Sequence, residues 1–271
     1  MAYDPVTQTV ILFGGSVSMN DQVGDTWSWD GNGWLDLTPA GASPAPRTGH
    51  AMVFDQTRGH LLVQGGYNAS GFHQDLWQWD GATGTWTDVT PASGMPAKRF
   101  DHRMAYDPLR DRVLMFGGRN TSYVVVDETW EWNGTSWHRL TPGLSPPARS
   151  AHAMVFHDAD GKIVLFGGGD GLQQFQDTWE WDGATWKNVS PAGHRPVARS
   201  THALAYDSAR RRVVLFGDSY GSSLYQDTWE WDASPGREPA FQFLVDFSVV
   251  DVTQEGIVPT EVHVRAHAGG I

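Results

Sequence analysis

The chain has 271 residues, 40% of them hydrophobic and 12% aromatic, with 14 Trp, 31 Gly and no Cys. The missing Cys excludes a disulfide scaffold, a thiolate zinc site and a cysteine nucleophile. A net charge of −12 gives no electrostatic footprint for nucleic acid or anionic lipid, and no apolar run approaches the ~20 residues of a membrane helix.

Five units follow one another along the chain. Gly-Gly occurs at 14–15, 65–66, 117–118 and 167–168, and Gly217-Asp218 takes the fifth place, at steps of 51, 52, 50 and 50 residues. A fixed period of this length marks a repeat architecture. The first unit, residues 1–39, opens on Met1-Ala2-Tyr3-Asp4, which matches Met104-Ala105-Tyr106-Asp107. It is expected to start inside a first strand, with no signal peptide visible and the chain a fragment of something longer. The second unit, 47–91, is complete: Arg47 and His50, apolar stretches at 50–55 and 61–66, Trp77-x-Trp79, then Trp86. The third, 99–142, and the fourth, 149–191, repeat it with Arg99/His102 and Arg149/His152. The fifth, 199–239, has Arg199/His202 and Trp229/Trp231 but no third Trp. In the last segment, 240–271, Phe241, Phe243, Val245, Phe247 and Val249 alternate with mostly polar residues, and Val262, Val264 and Ala266 alternate again. It is expected either to supply blade-closing strands or to begin a further β domain.

Within each unit the first two stretches are nearly continuous apolar runs, as in strands covered on both faces. Trp-x-Trp places two indoles on one face because strand side chains alternate. Asp30-Gly31, Asp80-Gly81, Asn133-Gly134 and Asp182-Gly183 are hairpin-turn dipeptides. No 3.6-residue period of helical length occurs. The pattern predicts an all-β propeller of five four-stranded blades, indoles filling the wedges between sheets, each burying ~150–250 Å². Whether the ring closes within these residues stays open.

The Arg-x-x-His opening, the Gly-Gly pair, Asp-Thr-Trp-x-Trp and the last Trp together resemble the kelch-repeat family, over residues 1 to about 232. The resemblance implies a kelch-type β-propeller, galactose-oxidase-like in its central domain. It says little about chemistry. Family propellers usually close with six or seven blades, and some are copper oxidases, sugar-acid isomerases or iron-dependent specifier proteins. The copper oxidase type needs a Cys–Tyr crosslink, which this chain lacks.

The connections after strands one and three are short, such as Asp55–Gly59 and Asp80-Gly81. Those after strand two are long and differ from unit to unit, and variable loops on a rigid frame carry binding. They hold Tyr67, Phe72, Tyr123, Phe175, Tyr220 and Tyr225, of the residue type that forms interface hot spots. Arg47, Arg99, Arg149 and Arg199 fall at the same end. As a ring about the channel mouth they would cradle acidic ligands; the alternative is that each pairs with an acid such as Asp25, Asp75, Asp177 or Asp227 inside the fold, where a residue repeated in every unit usually belongs.

Other signals are weaker. Gly217-Asp218-Ser219-Tyr220-Gly221 fits a nucleophile-elbow expression without the strand–turn–helix context it needs. His50, His102, His152 and His202 sit on separate sheets, too far apart for ~2 Å bonds to one ion, so no metal is expected and each is expected to donate within its blade. Glu131, Glu180 and Glu230, between paired Trp residues, are expected on a solvated face. The main expectation is a module binding protein or peptide, or a carbohydrate, at the loop-rich face, with no cofactor. The alternatives are a propeller enzyme acting on acidic sugars and a structural spacer in a larger secreted protein.

Overall fold

In a computed structural model that describes residues 1–18, 21–217, 219–220, 223–233 and 239–246, each unit folds as a four-stranded antiparallel sheet whose strands lie in chain order. Blade one comprises Ala2–Asp4, Thr9–Ser18, Asp21–Trp29 and Trp34–Asp36; blade two, Ala51–Asp55, His60–Gln64, Leu76–Asp80 and Thr85–Asp88. Blade three comprises Arg103–Asp107, Arg112–Phe116, Thr129–Trp132 and Trp137–Leu140; blade four, Ala153–His157, Lys162–Phe166, Thr178–Trp181 and Trp186–Asn188. Blade five comprises Ala203–Asp207, Arg212–Phe216, Asp227–Asp232 and Ala240–Asp246. The described residues contain no helix. The chain is a kelch-type propeller of five blades set about a common axis. Phe247, Val249, Val262, Val264 and Ala266 lie outside the described residues.

The core is a series of four seams, one between each consecutive pair of blades. At each seam a residue of a blade's fourth strand packs on its own Trp-x-Trp strand and on the blade before. Trp86 meets Phe13 with centroids 5.1 Å apart, and Trp186 meets Phe116 at 5.4 Å, both edge to face. These two indoles also find an acceptor on the preceding blade: Trp86 Nε1 donates to Thr26 Oγ1 at 3.0 Å, and Trp186 Nε1 to Thr129 Oγ1 at 3.1 Å. Trp137 is buried without one, because the matching position of blade two is Leu76.

In blade five, Phe241 takes the place of the third Trp. Its strand pairs with Asp227–Asp232, and its ring lies 4.8 Å from Trp231 and 5.2 Å from Phe166. Phe has no N–H, and Thr178 Oγ1, the matching acceptor, is buried without a partner. Among the described residues no apolar cluster joins blade five to blade one. Trp34 is 49% exposed and Phe216 52%, whereas their counterparts inside the seams are buried.

The glutamates depart from expectation. Glu180 and Glu230 are buried, not solvated. Lys162 Nζ reaches Glu180 at 2.6 Å, and Arg210 pairs with Glu230. A long cation from the start of strand two (Lys162) or from the turn before it (Arg210) folds over the face and pairs with each acid, with its stem covering the sheet.

Candidate functional site

The four repeated arginines do not line an open mouth: Arg47, Arg99, Arg149 and Arg199 are 0–2% exposed. In blade four, Arg149 Nη1 and Nη2 grip Asp177 Oδ1 and Oδ2 at 2.6 and 2.8 Å. Nη1 also donates to the Gly167 carbonyl at 2.9 Å, and Nε to the Pro147 carbonyl at 3.0 Å. Trp179 Nε1 donates to Asp177 Oδ2 at 2.7 Å. Blades two and five repeat the set with Asp75/Trp77 and Asp227/Trp229, while blade three uses the longer Glu128, which takes a single bond from Arg99 Nη2 and one from Trp130 Nε1. The rigid guanidinium fork suits this bidentate contact. Burial works to raise the Asp177 carboxyl, but the Arg149 contacts outweigh it and hold the group below the usual carboxylate range. In blade one Asp25 accepts the Trp27 indole in the same way, at 2.5 Å.

Phe175 and Tyr225 serve this lock. The Arg149 guanidinium carbon lies 4.3 Å from the Phe175 ring centroid and that of Arg199 5.1 Å from Tyr225, so each ring lids a buried cation. The histidines also differ from expectation. His102 and His152 are fully buried and neither ring nitrogen of either has a hydrogen-bond partner. Each ring fills a notch left by a glycine of the preceding blade: a Cβ on Gly65 would lie 2.9 Å from His102 Cε1, and one on Gly117 3.1 Å from His152 Cε1. Desolvation, with Arg99 and Arg103 nearby, holds His102 well below the usual imidazole value and therefore neutral. Among the described residues no group of three His, Asp or Glu is placed to hold a metal ion.

The loop aromatics behave differently. Tyr67, Phe72 and Tyr123 converge on Phe100 at the loop-rich end, across blades two and three. Phe72 stacks on Phe100 at 5.6 Å, Tyr67 meets Phe100 at 5.0 Å, and Tyr123 lies 5.6 and 5.7 Å from Phe72 and Phe100. Local bonds fix the loops. Tyr67 and Thr48 exchange backbone bonds at 2.9 Å, and Arg99–Phe100 pairs with Arg119–Asn120. Asn120 Oδ1 accepts the N–H groups of Ser122 and Val124, turning the chain so that Tyr123 sits at φ +62° and is 63% exposed. A bulky residue in the left-handed region is strained by ~1–3 kcal/mol, and such strain gathers at ligand-contacting sites. Val124 and Leu172 are also exposed on loops of this end, as is Val17 at the end of its strand. The side chain of Tyr220 lies outside the described residues.

Phe100 was not among the expected site residues. Its signal was present: the position after the repeated Arg is Thr48, Ser150 or Ser200 in the other units.

The opposite end is closed by its own polar groups. Arg58 bridges Asp55 at 2.8 Å and Asp111 of the next blade at 2.9 Å, and Tyr106 Oη meets Thr57 Oγ1 at 2.6 Å. On the axis, the backbone N–H groups of Asp101, Ala151 and Thr201 each donate at 2.8 Å to the matching carbonyl of the preceding blade. Beside them Asp101 and Arg103 line a cavity of about 390 Å³.

Comparison with known proteins agrees with this architecture. A family model described as the Attractin/LZTR1 β-propeller matches residues 61–234. The flagellar outer-arm dynein alpha chain of Chlamydomonas reinhardtii is 30% identical over 189 residues, 62% of this chain and 4% of its own length. In Schizosaccharomyces pombe, tip elongation aberrant protein 1 is 26% identical over 184 residues (63% of this chain, 15% of its own), and Mei4-dependent protein 6 is 26% identical over 200 residues (65% and 28%). The chain thus spans less than a third of the length of these relatives. A solved structure of YjhT superposes with a TM-score of 0.68 at 14% identity, covering 86% of this chain and 81% of that one, a likeness of fold.

Proposed function

The chain belongs to the Attractin/LZTR1 β-propeller family, and from that premise we propose that it is a binding module that recognises a protein or peptide at its loop-rich end. One observation carries the reading: Tyr67, Phe72, Phe100 and Tyr123 gather into a single aromatic patch topped by a strained, exposed Tyr123. Residues repeated in every blade are engaged in holding blades together. The patch is built instead from positions where units differ, and aromatic side chains of this kind dominate binding energy. A tyrosine rim over a phenylalanine floor offers an apolar seat with polar edges.

The test is selection of a random-peptide phage library on the folded protein, followed by titration of the selected peptides against variants. Phe72→Ala and Tyr123→Ala are expected to weaken binding at least tenfold, with thermal stability nearly unchanged for Tyr123→Ala. Peptides that bind these variants as well as the parent would overturn the reading.

A further inference from the structure

Phe100 faces Arg119 across the short two-residue ladder, so the aromatic patch adjoins a second feature. This is a cavity of about 410 Å³ between the loops of blades three and four, lined by Arg119, Ser150, Gly169, Leu172, Gln174 and Ser200 among others. Its lining holds one cation and no carboxylate, in a chain of net charge −12. Two acids lie outside the lining: Asp170 accepts the N–H groups of Leu172 and Gln173 in its own turn, each at 2.8 Å, and Asp101, which lines the separate axial cavity, feels the charges of Arg103 and Arg119 without a hydrogen bond to Arg119 among the described contacts.

The polar groups of the cavity are set in place. Arg119 Nε donates to Ser150 Oγ at 3.0 Å, which anchors the guanidinium by one N–H and leaves its outer edge for another acceptor. Gln174 Nε2 donates to Ser200 Oγ at 3.0 Å, and Gln174 Oε1 is buried with no donor. An unmatched buried acceptor is costly until a donor arrives. Ser150 and Gly169 exchange backbone bonds at 2.9 and 3.0 Å, so the wall between blades is rigid. The cavity therefore asks for two things at once: an anionic acceptor for Arg119 and an N–H donor for Gln174.

We propose that this cavity receives an acidic residue of the bound peptide, its carboxylate on Arg119 and its main-chain N–H on Gln174 Oε1. The proposal rests on the loop-rich end being the binding face. It adds a charge preference to what the aromatic patch selects, because a planar carboxylate matches the free edge of a guanidinium, whereas phosphate brings no N–H.

The experiment titrates the whole chain with N-acetyl-aspartate N-methylamide, the matching neutral asparagine compound and inorganic phosphate, following the Arg119 Nε–H signal by NMR. The aspartate compound is expected to bind saturably and at least tenfold tighter than the other two. Arg119→Gln is expected to abolish this binding and Arg119→Lys to keep part of it. Equal binding of the asparagine compound, phosphate binding as tight as that of aspartate, or an unchanged Arg119→Gln variant would each overturn the proposal. If the aspartate compound fails while selected peptides still require Tyr123, the cavity assignment falls and the aromatic patch stands. Failure of both removes the loop-rich end as the binding face.

Discussion

Gly66 donates its backbone N–H to the carbonyl of Arg99 in the next blade at 2.8 Å, and the bond recurs from Gly15 to Arg47, Gly118 to Arg149 and Gly168 to Arg199 at 2.8–2.9 Å. Each repeated Arg therefore acts twice. Its side chain ties strands within a blade, and its carbonyl ties that blade to the one before. The donor must be glycine, because the bond needs a left-handed backbone packed against the rim: Gly118 sits at φ +95°, and a Cβ there would lie 2.8 Å from His102 Cβ.

Gly118→Ala and Gly31→Ala separate strain from collision. Gly31 has a similar φ of +99° with open space about it. Gly31→Ala is expected to cost about 1 kcal/mol from backbone strain alone. Gly118→Ala is expected to cost roughly 1–3 kcal/mol more from overpacking. Urea unfolding midpoints measure both; equal losses would show that the rim is not closely packed.

Arg149→Ala should be among the most damaging single changes. It leaves Asp177 without its bidentate partner in a site 22% exposed, and removing one member of a buried pair costs about 3–5 kcal/mol. Asp177→Asn keeps one acceptor for Arg149 but leaves that fully buried cation without its counter-charge, so it is expected to cost about as much. Denaturant titration of the two variants gives the comparison, and a loss for Asp177→Asn less than half that of Arg149→Ala would argue against a charge lock.

Phe241→Trp tests the stand-in at the last seam. An indole there would give Thr178 Oγ1 the donor that Thr26 and Thr129 already have. A gain of ~0.5–1.5 kcal/mol is expected from the new hydrogen bond, read as a higher unfolding midpoint. A fall in stability would show that the blade-five seam is too tight for the larger ring.

Much of the fold was legible because each blade had to solve the same problem. The Trp-x-Trp face, the Asp-Gly turns and the Gly-Gly notch are local demands repeated at one period, so their spacing in the chain carries the architecture. The roles of Arg149 and His152 were less legible. A donor-rich residue at a loop end reads alike whether its acceptor is a ligand or Asp177, 28 residues on. The aromatic patch proposed for binding was half visible: Tyr67, Phe72 and Tyr123 stood out, but Phe175 and Tyr225 looked the same and lid arginines instead. Arg119 carried no repeat signal, and only the carboxylate-free lining of its cavity singles it out.

The buried histidines set a pH dependence. Burial, together with nearby positive charge that includes Arg47 for His50 and Arg199 for His202, pulls both to about 3, and His102 and His152 are lowered in the same way. An unfolded imidazole titrates near ~6.5. As pH falls below that value the unfolded chain binds protons first, so stability is complete above neutrality and declines between 6.5 and 3. Each histidine contributes up to about 1.4 kcal/mol per pH unit in that window. Asp101 and Glu131, whose carboxyls burial raises, act in the opposite sense. Unfolding free energy measured from pH 7.5 to 5 should fall for the parent chain and fall less steeply for His152→Leu. Parallel curves would mean that His152 is charged in the folded state.

Selected-peptide affinity and unfolding midpoint, determined together for Arg149→Lys and Tyr123→Ala, test most directly the division between repeated residues that hold the blades and unrepeated residues that bind. The account predicts that Arg149→Lys lowers the midpoint with affinity per folded molecule unchanged, and that Tyr123→Ala lowers affinity at least tenfold with the midpoint unchanged. The reverse pattern, with affinity following Arg149 and stability following Tyr123, would contradict it.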